Sequence, residues 1–245
     1  MKALIISDIH SNIYSLNAIW DKEKDSDFIY CAGDLVDYGP FPKEVINWCR
    51  NHNILCVKGN HDEDVVHHYK KEILFEKIPE EKRTWIHHNA AQLDAEDIQY
   101  LENLPETLNF EINGIQYCMR HSFIKRSYET MDNIHQFNQF WSEHYPRDNS
   151  SKEKRVIIGH THNQAIHYLE NYSLWMNPGS TSYRPTRQTE DFSKHAHYIT
   201  INDEEIQLKS VDYDLAPLIE AVKKQKLNEA QIKAGYRFFD KYHTE

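Results

Sequence analysis

The sequence predicts an α/β (α+β) fold, and two repeating features carry the prediction. Short apolar runs alternate with stretches whose apolar residues recur at helical spacing, as in buried strands that helices connect. Several of these runs end in a cluster of Asp, His or Asn residues. No Pro/Gly/Ser-rich tract, like-charge block or fixed-period repeat divides the 245 residues. We therefore predict a single domain over 1–245.

The first sixty residues predict a parallel β-α-β-α-β unit. The expected strands and helices, in chain order, are 2–7, 13–24, 28–32, 42–51 and 54–57. Each predicted helix has an apolar stripe that can pack on the sheet, and such right-handed crossovers build a half-sheet of parallel strands.

The rest of the chain predicts a helical insert, further strands and terminal helices. Residues 62–103 switch to helical patterning, whereas TLNFEINGIQYCMRH holds two alternating runs around Asn113-Gly114, the strongest short hairpin signal. Residues 123–150 are polar and aromatic and are expected to be irregular or helical, close enough to overhang the site. A strand at 155–158 and two further strand pairs, in AIHYLENYSLWMN and HAHYITINDEEIQLKSV, are followed by helices from about 214.

Polar clusters follow the predicted strands and contain the residue types of metal ligands. They are Asp8 with His10, Asp34 with Asp37, Asn60 with His61 and Asp62, and His160 with His162 in RVIIGHTHN. Residues i and i+2 of an extended chain point to the same side, and α/β sheets bind ligands beyond the carboxyl ends of their strands. The clusters are therefore expected to meet at one rim.

Five ordered blocks resemble those of the calcineurin-like metallophosphoesterase superfamily. The blocks are D-x-H at Asp8, G-D at Gly33, G-N-H-D at Gly59, a strand-end histidine at His121 and G-H-T-H at Gly159, and the resemblance spans about residues 1–210. Softer segments such as SDIHSNIYSLNAI and MNPGSTSYRP are most similar to the bacterial branch of phosphodiesterases and diadenosine-tetraphosphate hydrolases. The resemblance implies a four-layer αββα sandwich of two mixed β-sheets flanked by helices.

The resemblance also implies two divalent metal ions. One ion would be held by Asp8, His10 and His162, the other by Asn60, His121 and His160, with Asp34 bridging the two. Seven mixed nitrogen and oxygen ligands also exceed what one tetrahedral zinc ion accepts, and they include no sulfur. Mn²⁺ is the expected metal, with Fe, Zn, Ni or Co as alternatives.

These features predict a dinuclear metal-dependent phosphoesterase. It would hydrolyse phosphodiester or phosphoanhydride bonds of a small nucleotide-like substrate through a hydroxide that bridges the metals. By resemblance, His61 is the general acid and Asp37 orients it; the competing interpretations are a helix-start or surface histidine and a turn residue. Asn12, Asn60 and Arg184 are the expected substrate contacts, although Asn12 is equally suited to cap the helix that follows it.

The sequence also bears on two alternative functions, a phosphomonoesterase or protein phosphatase and a non-catalytic scaffold. Tyr38 and Lys58 stand where the protein phosphatases of this superfamily carry arginine, whose planar fork suits a terminal phosphate. A phosphomonoesterase or protein phosphatase is therefore disfavoured. A non-catalytic scaffold of the same fold is the other alternative, and the intact ligand set opposes it.

Composition limits the partners and the compartment. The formal net charge of −10 disfavours a stable nucleic-acid partner or an anionic membrane, because both attract basic surfaces; a nuclease is disfavoured for the same reason. Four cysteines without C-x-x-C spacing predict buried, reduced thiols. The absence of a signal segment and of a long apolar run predicts a cytoplasmic protein.

Overall fold

The computed structural model describes residues 1–145, 153–170, 173–182, 195–203 and 205–239. Within them, the strands are β1 (Lys2–Ile6), β2 (Phe28–Cys31), β3 (Leu55–Cys56), β4 (Thr107–Ile112), β5 (Ile115–Arg120), β6 (Lys154–Ile158), β7 (Ala165–Tyr168), β8 (Ser173–Asn177), β9 (Ala196–Asn202) and β10 (Glu205–Val211). The α-helices are α1 (Ile13–Glu23), α2 (Pro42–Asn51), α3 (Asn60–Tyr69), α4 (Trp85–Gln92), α5 (Ala95–Asn103), α6 (Ile134–His144), α7 (Ala216–Lys223) and α8 (Glu229–Phe239). Single 3-10 turns lie at Phe75–Lys77 and Glu80–Lys82.

The strands form two mixed five-stranded sheets. The first has the order β10-β9-β1-β2-β3 and the second the order β4-β5-β6-β8-β7. In the first sheet β1, β2 and β3 are parallel, and in the second β5, β6 and β8 are parallel. The hairpin predicted at Asn113-Gly114 joins β4 to β5, and both turn residues have positive φ, as a two-residue hairpin turn requires.

The two sheets pack face to face with helices outside, so the predicted four-layer αββα sandwich is confirmed. Strand alternation assigns the faces. Ala3 and Ile5 of β1 share an apolar cluster with Tyr117 of the second sheet, whereas Leu4 and Ile6 pack with α1, α2 and α3. On the far face of the second sheet, α6 packs through a group of aromatic residues against β5, β6 and β8.

The last two helices pack on the helical segment between β3 and β4. The indole Nε1 of Trp85 in α4 donates a hydrogen bond to the Gln231 carbonyl at 2.9 Å. A Cβ on Gly235 would lie 2.9 Å from the Trp85 ring, so glycine is what permits α8 to approach this closely. This contact fixes the end of α8 beside the polar rim of the sheets.

Two further observations concern the cysteines and the membrane. Cys31, Cys49, Cys56 and Cys118 are all buried and unbridged, as predicted. Among the helices of the described ranges, none has both the length and the apolar character that crossing a bilayer demands.

Candidate metal centre

The predicted ligands meet at one rim, where the parallel strands of both sheets end. Asp8 and His10 follow β1, Asp34 follows β2 and Asn60 follows β3, while His121 follows β5 and His160 and His162 follow β6. Residues far apart in the chain become direct neighbours. The clearest case is Asp8 Oδ1, which lies 3.2 Å from His162 Nε2.

One group of side chains forms around Asp8. Three ligand atoms lie close together here: Asp8 Oδ1, His10 Nε2 and His162 Nε2. All three residues are buried. The two imidazole nitrogens are 3.3 Å apart, and His10 Nε2 lies 3.9 Å from Asp8 Oδ1. Three ligand atoms so placed form a candidate site for one cation.

A second group forms around His121. Its Nε2 atom lies 3.1 Å from Asp34 Oδ2, 3.1 Å from Asn60 Oδ1 and 3.1 Å from His160 Nδ1. The Nδ1–H of His121 donates a hydrogen bond to the Ala32 carbonyl at 2.8 Å. That bond orients the ring so that its Nε2 atom faces the centre, where it can bind a metal.

Asp34 connects the two groups. Its Oδ2 atom lies 3.1 Å from His121 Nε2 and 4.0 Å from His10 Nε2. The carboxylate is almost completely buried, and its Oδ1 atom accepts a hydrogen bond from the His61 backbone N–H at 2.9 Å. One carboxylate therefore faces both sets of imidazoles.

The donor set fits divalent metal ions. Ligand atoms about 2.0–2.2 Å from a tetrahedral ion are roughly 3.3–3.6 Å from one another, close to the 3.1–4.0 Å separations seen here. Asp8 Oδ1 is buried without a hydrogen-bond partner among the described residues, which is costly unless a cation compensates it. The two neighbouring groups of oxygen and nitrogen atoms are therefore candidate metal-ligand groups.

The electrostatics of the centre favour ionised carboxylates. Burial alone would raise the pKa of Asp34, but the neighbouring His121 and His61 imidazoles hold it well below the usual carboxyl range. Burial alone would also raise the pKa of Asp8, but the neighbouring His162 imidazole lowers this pKa below its usual value. Burial lowers the pKa of His160 to about 4, so this ring is neutral and its nitrogen can bind a metal.

The backbone at the centre is strained. Positive φ angles occur at Asp8 (53°), His10 (50°), Asp34 (55°), His160 (62°) and His162 (59°). Non-glycine residues rarely adopt this region, and each instance costs on the order of 1–3 kcal/mol. Five such residues in one cluster indicate a functional site, because strain concentrates where geometry is imposed by function.

Two glycines allow the close approach of the ligand loops. A Cβ on Gly59 would clash with the Asp34 carboxylate, and a Cβ on Gly159 would clash with the Ser7 hydroxyl and lie 2.7 Å from Asp8 Oδ2. The glycines that precede Asn60 and His160 are therefore part of the construction of the centre.

Buried polar side chains join the ligand loops, and their structural role was not predicted. Asp62, fully buried, accepts hydrogen bonds from four backbone N–H groups on the loops that carry Asp34 and Asn60. Asn177 donates to the Gly159 carbonyl at 2.7 Å. The signal for Asp62 was present, because an acidic residue three positions after a helix N-cap is a capping pattern.

His61 and Asp37 lie beside the centre as a hydrogen-bonded pair. His61 Nδ1 donates to Asp37 Oδ2 at 2.7 Å, and its Nε2 atom lies 4.0 Å from Asp34 Oδ2. Burial alone would lower the pKa of His61, but the Asp34 charge and the Asp37 hydrogen bond raise it to about 9. In the absence of bound cations, the ring is protonated at neutral pH, and its Nε2–H lies on the side of Asp34.

Comparison with known proteins gives the family. A family model described as calcineurin-like phosphoesterase matches residues 1–197, most of the chain. The chain belongs to the calcineurin-like phosphoesterase family. These enzymes hydrolyse phosphate esters and depend on bound metal, and the two ligand groups described above are what this chain offers for metal binding.

Several proteins resemble this calcineurin-like phosphoesterase along most of its length. An uncharacterized protein of Methanocaldococcus jannaschii, MJ0912, is 28% identical over 241 residues, which cover 92% of this chain and 93% of that protein. A metallophosphoesterase from Sphaerobacter thermophilus shares the fold with a TM-score of 0.68, 21% identity and coverage of 97% and 99% of the two chains. A candidate diadenosine tetraphosphatase gives a TM-score of 0.53 and 19% identity, with coverage of 85% and 93%.

The predicted substrate contacts of this calcineurin-like phosphoesterase have different outcomes. Asn60 lies in the centre, within 3.1 Å of His121. The buried side chain of Asn12 caps α1: its Oδ1 accepts from the Ser15 N–H, and its amide donates to the Tyr213 hydroxyl. Of its two interpretations, the structure shows the cap. Arg184 lies outside the described residues.

An aromatic wall closes the side of the centre near His10. The ring of Phe238, from the end of α8, contacts His10 with centroids 4.9 Å apart and stacks on Tyr38 at 4.5 Å. Tyr38 also contacts His61 at 5.1 Å. Tyr38 stands where the protein phosphatases of the family carry arginine, and in this phosphoesterase its ring is part of the aromatic wall.

Proposed function

We propose that this protein is a dinuclear metal-dependent hydrolase of phosphodiester or phosphoanhydride bonds in a small nucleotide-like substrate. The observation that carries the proposal is the Asp34 carboxylate, whose Oδ2 atom faces His10 on one side and His121 on the other. A single carboxylate between two sets of imidazoles is the arrangement that a pair of ions sharing one ligand requires.

The chain offers a distinct ligand set for each ion. Asp8, His10 and His162 would hold the first, Asn60, His121 and His160 the second, and Asp34 both. When bound, the ions lower the pKa of water and offset the negative charge of phosphoryl oxygens. Mn²⁺ is the proposed metal because the carboxylate and amide oxygens suit it and the set contains no sulfur. Imidazole nitrogens also suit Fe, Zn and Ni, so these metals and Co are tested beside it.

His61 is the proposed general acid. Its Nδ1 is fixed on Asp37 at 2.7 Å, so the proton available to a leaving group is held at Nε2, the atom that faces the centre. Asp37 positions the ring and prevents it from rotating. General acid catalysis of this kind contributes about 10²–10⁴ in rate.

The surroundings of the centre support a diester or anhydride over a phosphate monoester. A terminal phosphate dianion is best held by a bidentate arginine, but Tyr38 is packed into the aromatic wall. Lys58 is turned to the Glu102 carbonyl, to which its ammonium donates at 2.7 Å. Neither side chain reproduces an arginine clamp.

The experiment compares metal-free and Mn²⁺-loaded protein on bis(p-nitrophenyl) phosphate and p-nitrophenyl phosphate, followed by nucleotides, cyclic nucleotides and dinucleoside polyphosphates. We expect metal-dependent turnover with the diester preferred. Asp34→Asn should lose bound metal and activity together. Asp21→Asn, the same chemical change at an exposed position on α1, should keep both.

Two results would contradict the proposal. Faster hydrolysis of the monoester than of the diester would make the protein a phosphomonoesterase. Full metal loading without turnover of any diester or anhydride in the panel would favour the non-catalytic scaffold.

A further inference from the structure

A tyrosine on the rim lies over the second group of ligands. The ring of Tyr128 stacks on the His160 imidazole, with centroids 4.7 Å apart and planes inclined by 21°. The residue is nevertheless 63% exposed. One face of the ring therefore covers His160, while more than half of the residue's surface is exposed.

The segment that carries Tyr128, between β5 and α6, is anchored on both sides. Before Tyr128, the Arg126 guanidinium forms a bidentate pair with the Asp64 carboxylate at 2.6 and 3.1 Å. After it, Met131 is buried and its carbonyl accepts a hydrogen bond from Trp175 Nε1 at 2.8 Å. The two anchors hold the ring in place before any ligand arrives, which reduces the entropy lost on binding.

We propose that Tyr128 is the stacking platform for the base of a nucleoside phosphate, an inference that rests on the proposed function. Every nucleobase presents a flat π face, and stacking on an accessible aromatic ring is a recognition mode that tolerates any base. The phosphoryl group would lie among the ligands and the base on the outer face of Tyr128. The platform thus selects nucleosides as a class over esters of simple alcohols.

The position of the ring sets the length of the ligand. Tyr128 lies 4.7 Å from His160, and a base stacked on its outer face adds about 3.5 Å. The base then lies roughly 8 Å from His160. A ring joined directly to a phosphate oxygen is too short to span this distance, whereas a ribose between phosphate and base supplies the spacer.

The test is calorimetric titration of Mn²⁺-loaded protein with adenosine 5′-monophosphate, phenyl phosphate and methyl phosphate. The three ligands share the phosphate and differ in the attached group. We expect Tyr128→Ala to weaken binding of the nucleotide by about 5- to 150-fold, the range that base stacking on an aromatic ring spans, and to leave the other two unchanged. Tyr128→Phe should bind like the wild type.

The matched control is Tyr168→Ala, which removes a ring of similar exposure, 65%, from the edge strand β7 and should change none of the three affinities. Three results would overturn the stacking role and leave the proposed function standing. Tyr128→Ala could weaken the binding of nucleotide and methyl phosphate equally, or weaken the binding of neither. The third is a Tyr128→Phe variant that binds the nucleotide as weakly as Tyr128→Ala does. Wild-type protein that binds none of the ligands and hydrolyses no diester would overturn both.

Discussion

Asp62 offers the sharpest test of how the centre is built. Its Oδ1 atom accepts from the backbone N–H groups of Leu35 and Val36, and its Oδ2 atom accepts from those of Asp34 and Gly59, at 2.9–3.3 Å. In Asp62→Asn one oxygen becomes an NH₂ group, so two buried N–H donors lose their acceptor. Each costs about 1–3 kcal/mol, and we expect a loss of about 4 kcal/mol in the free energy of unfolding.

The assay is thermal unfolding of the metal-free protein at pH 8. Burial and the Asp34 charge raise the pKa of Asp62 to about 6, so the carboxylate is ionised at pH 8. For a chain of this length, a loss of about 4 kcal/mol lowers Tm by about 8–16 °C. Asp64→Asn, which removes only a partly exposed ion pair with Arg126, should cost at most about 1 kcal/mol. A Tm for Asp62→Asn within about 4 °C of the wild type would refute the view that this carboxylate holds the two loops together.

Two other variants separate catalysis from metal binding. His61→Ala should keep its metal content and lose about 10²–10⁴ in kcat on diesters with poor leaving groups. His67 is exposed on the same helix, and His67→Ala should keep the wild-type kcat. An unchanged rate in His61→Ala would exclude His61 as the general acid. Gly159→Ala should weaken metal binding by about 10–100-fold, because the new methyl group displaces Asp8. Gly114→Ala, where a Cβ meets no atom within 4 Å, should retain wild-type metal affinity, and equal effects of the two glycine variants on metal binding would contradict this account.

Local patterns predicted the fold well where the signal is local. The helix at 42–51 was predicted with the observed bounds, and the Asn113-Gly114 hairpin lies where its turn residues require. Strand β3 is shorter than predicted, with only Leu55 and Cys56 in the ladder. Apolar residues on either side of β3 are buried but form no backbone ladder with a neighbouring strand. Apolar patterning therefore overestimates the length of a short edge strand.

The residue types of the centre were predictable, but not all of the contacts around it. Asp, His and Asn after successive strands predict a shared rim, and that rim is where the side chains lie. The buried roles of Asp62 and Asn177 depend on which loops become neighbours, and the contact of Phe238 with His10 depends on how α8 packs on α4. No spacing within one segment encodes these contacts.

The sequence by itself determined the fold class, the succession of strands and helices along the chain, and the chemical nature of the ligands, because hydrophobic periodicity and turn chemistry act over a few neighbouring residues. Only the tertiary structure decided that the ligand residues adopt positive φ angles, that Asp62 joins the loops carrying Asp34 and Asn60, and that Tyr128 covers His160. The reason is that these features arise from the packing of segments far apart in the chain, where the stability of the whole fold holds a few residues in conformations they would not adopt alone.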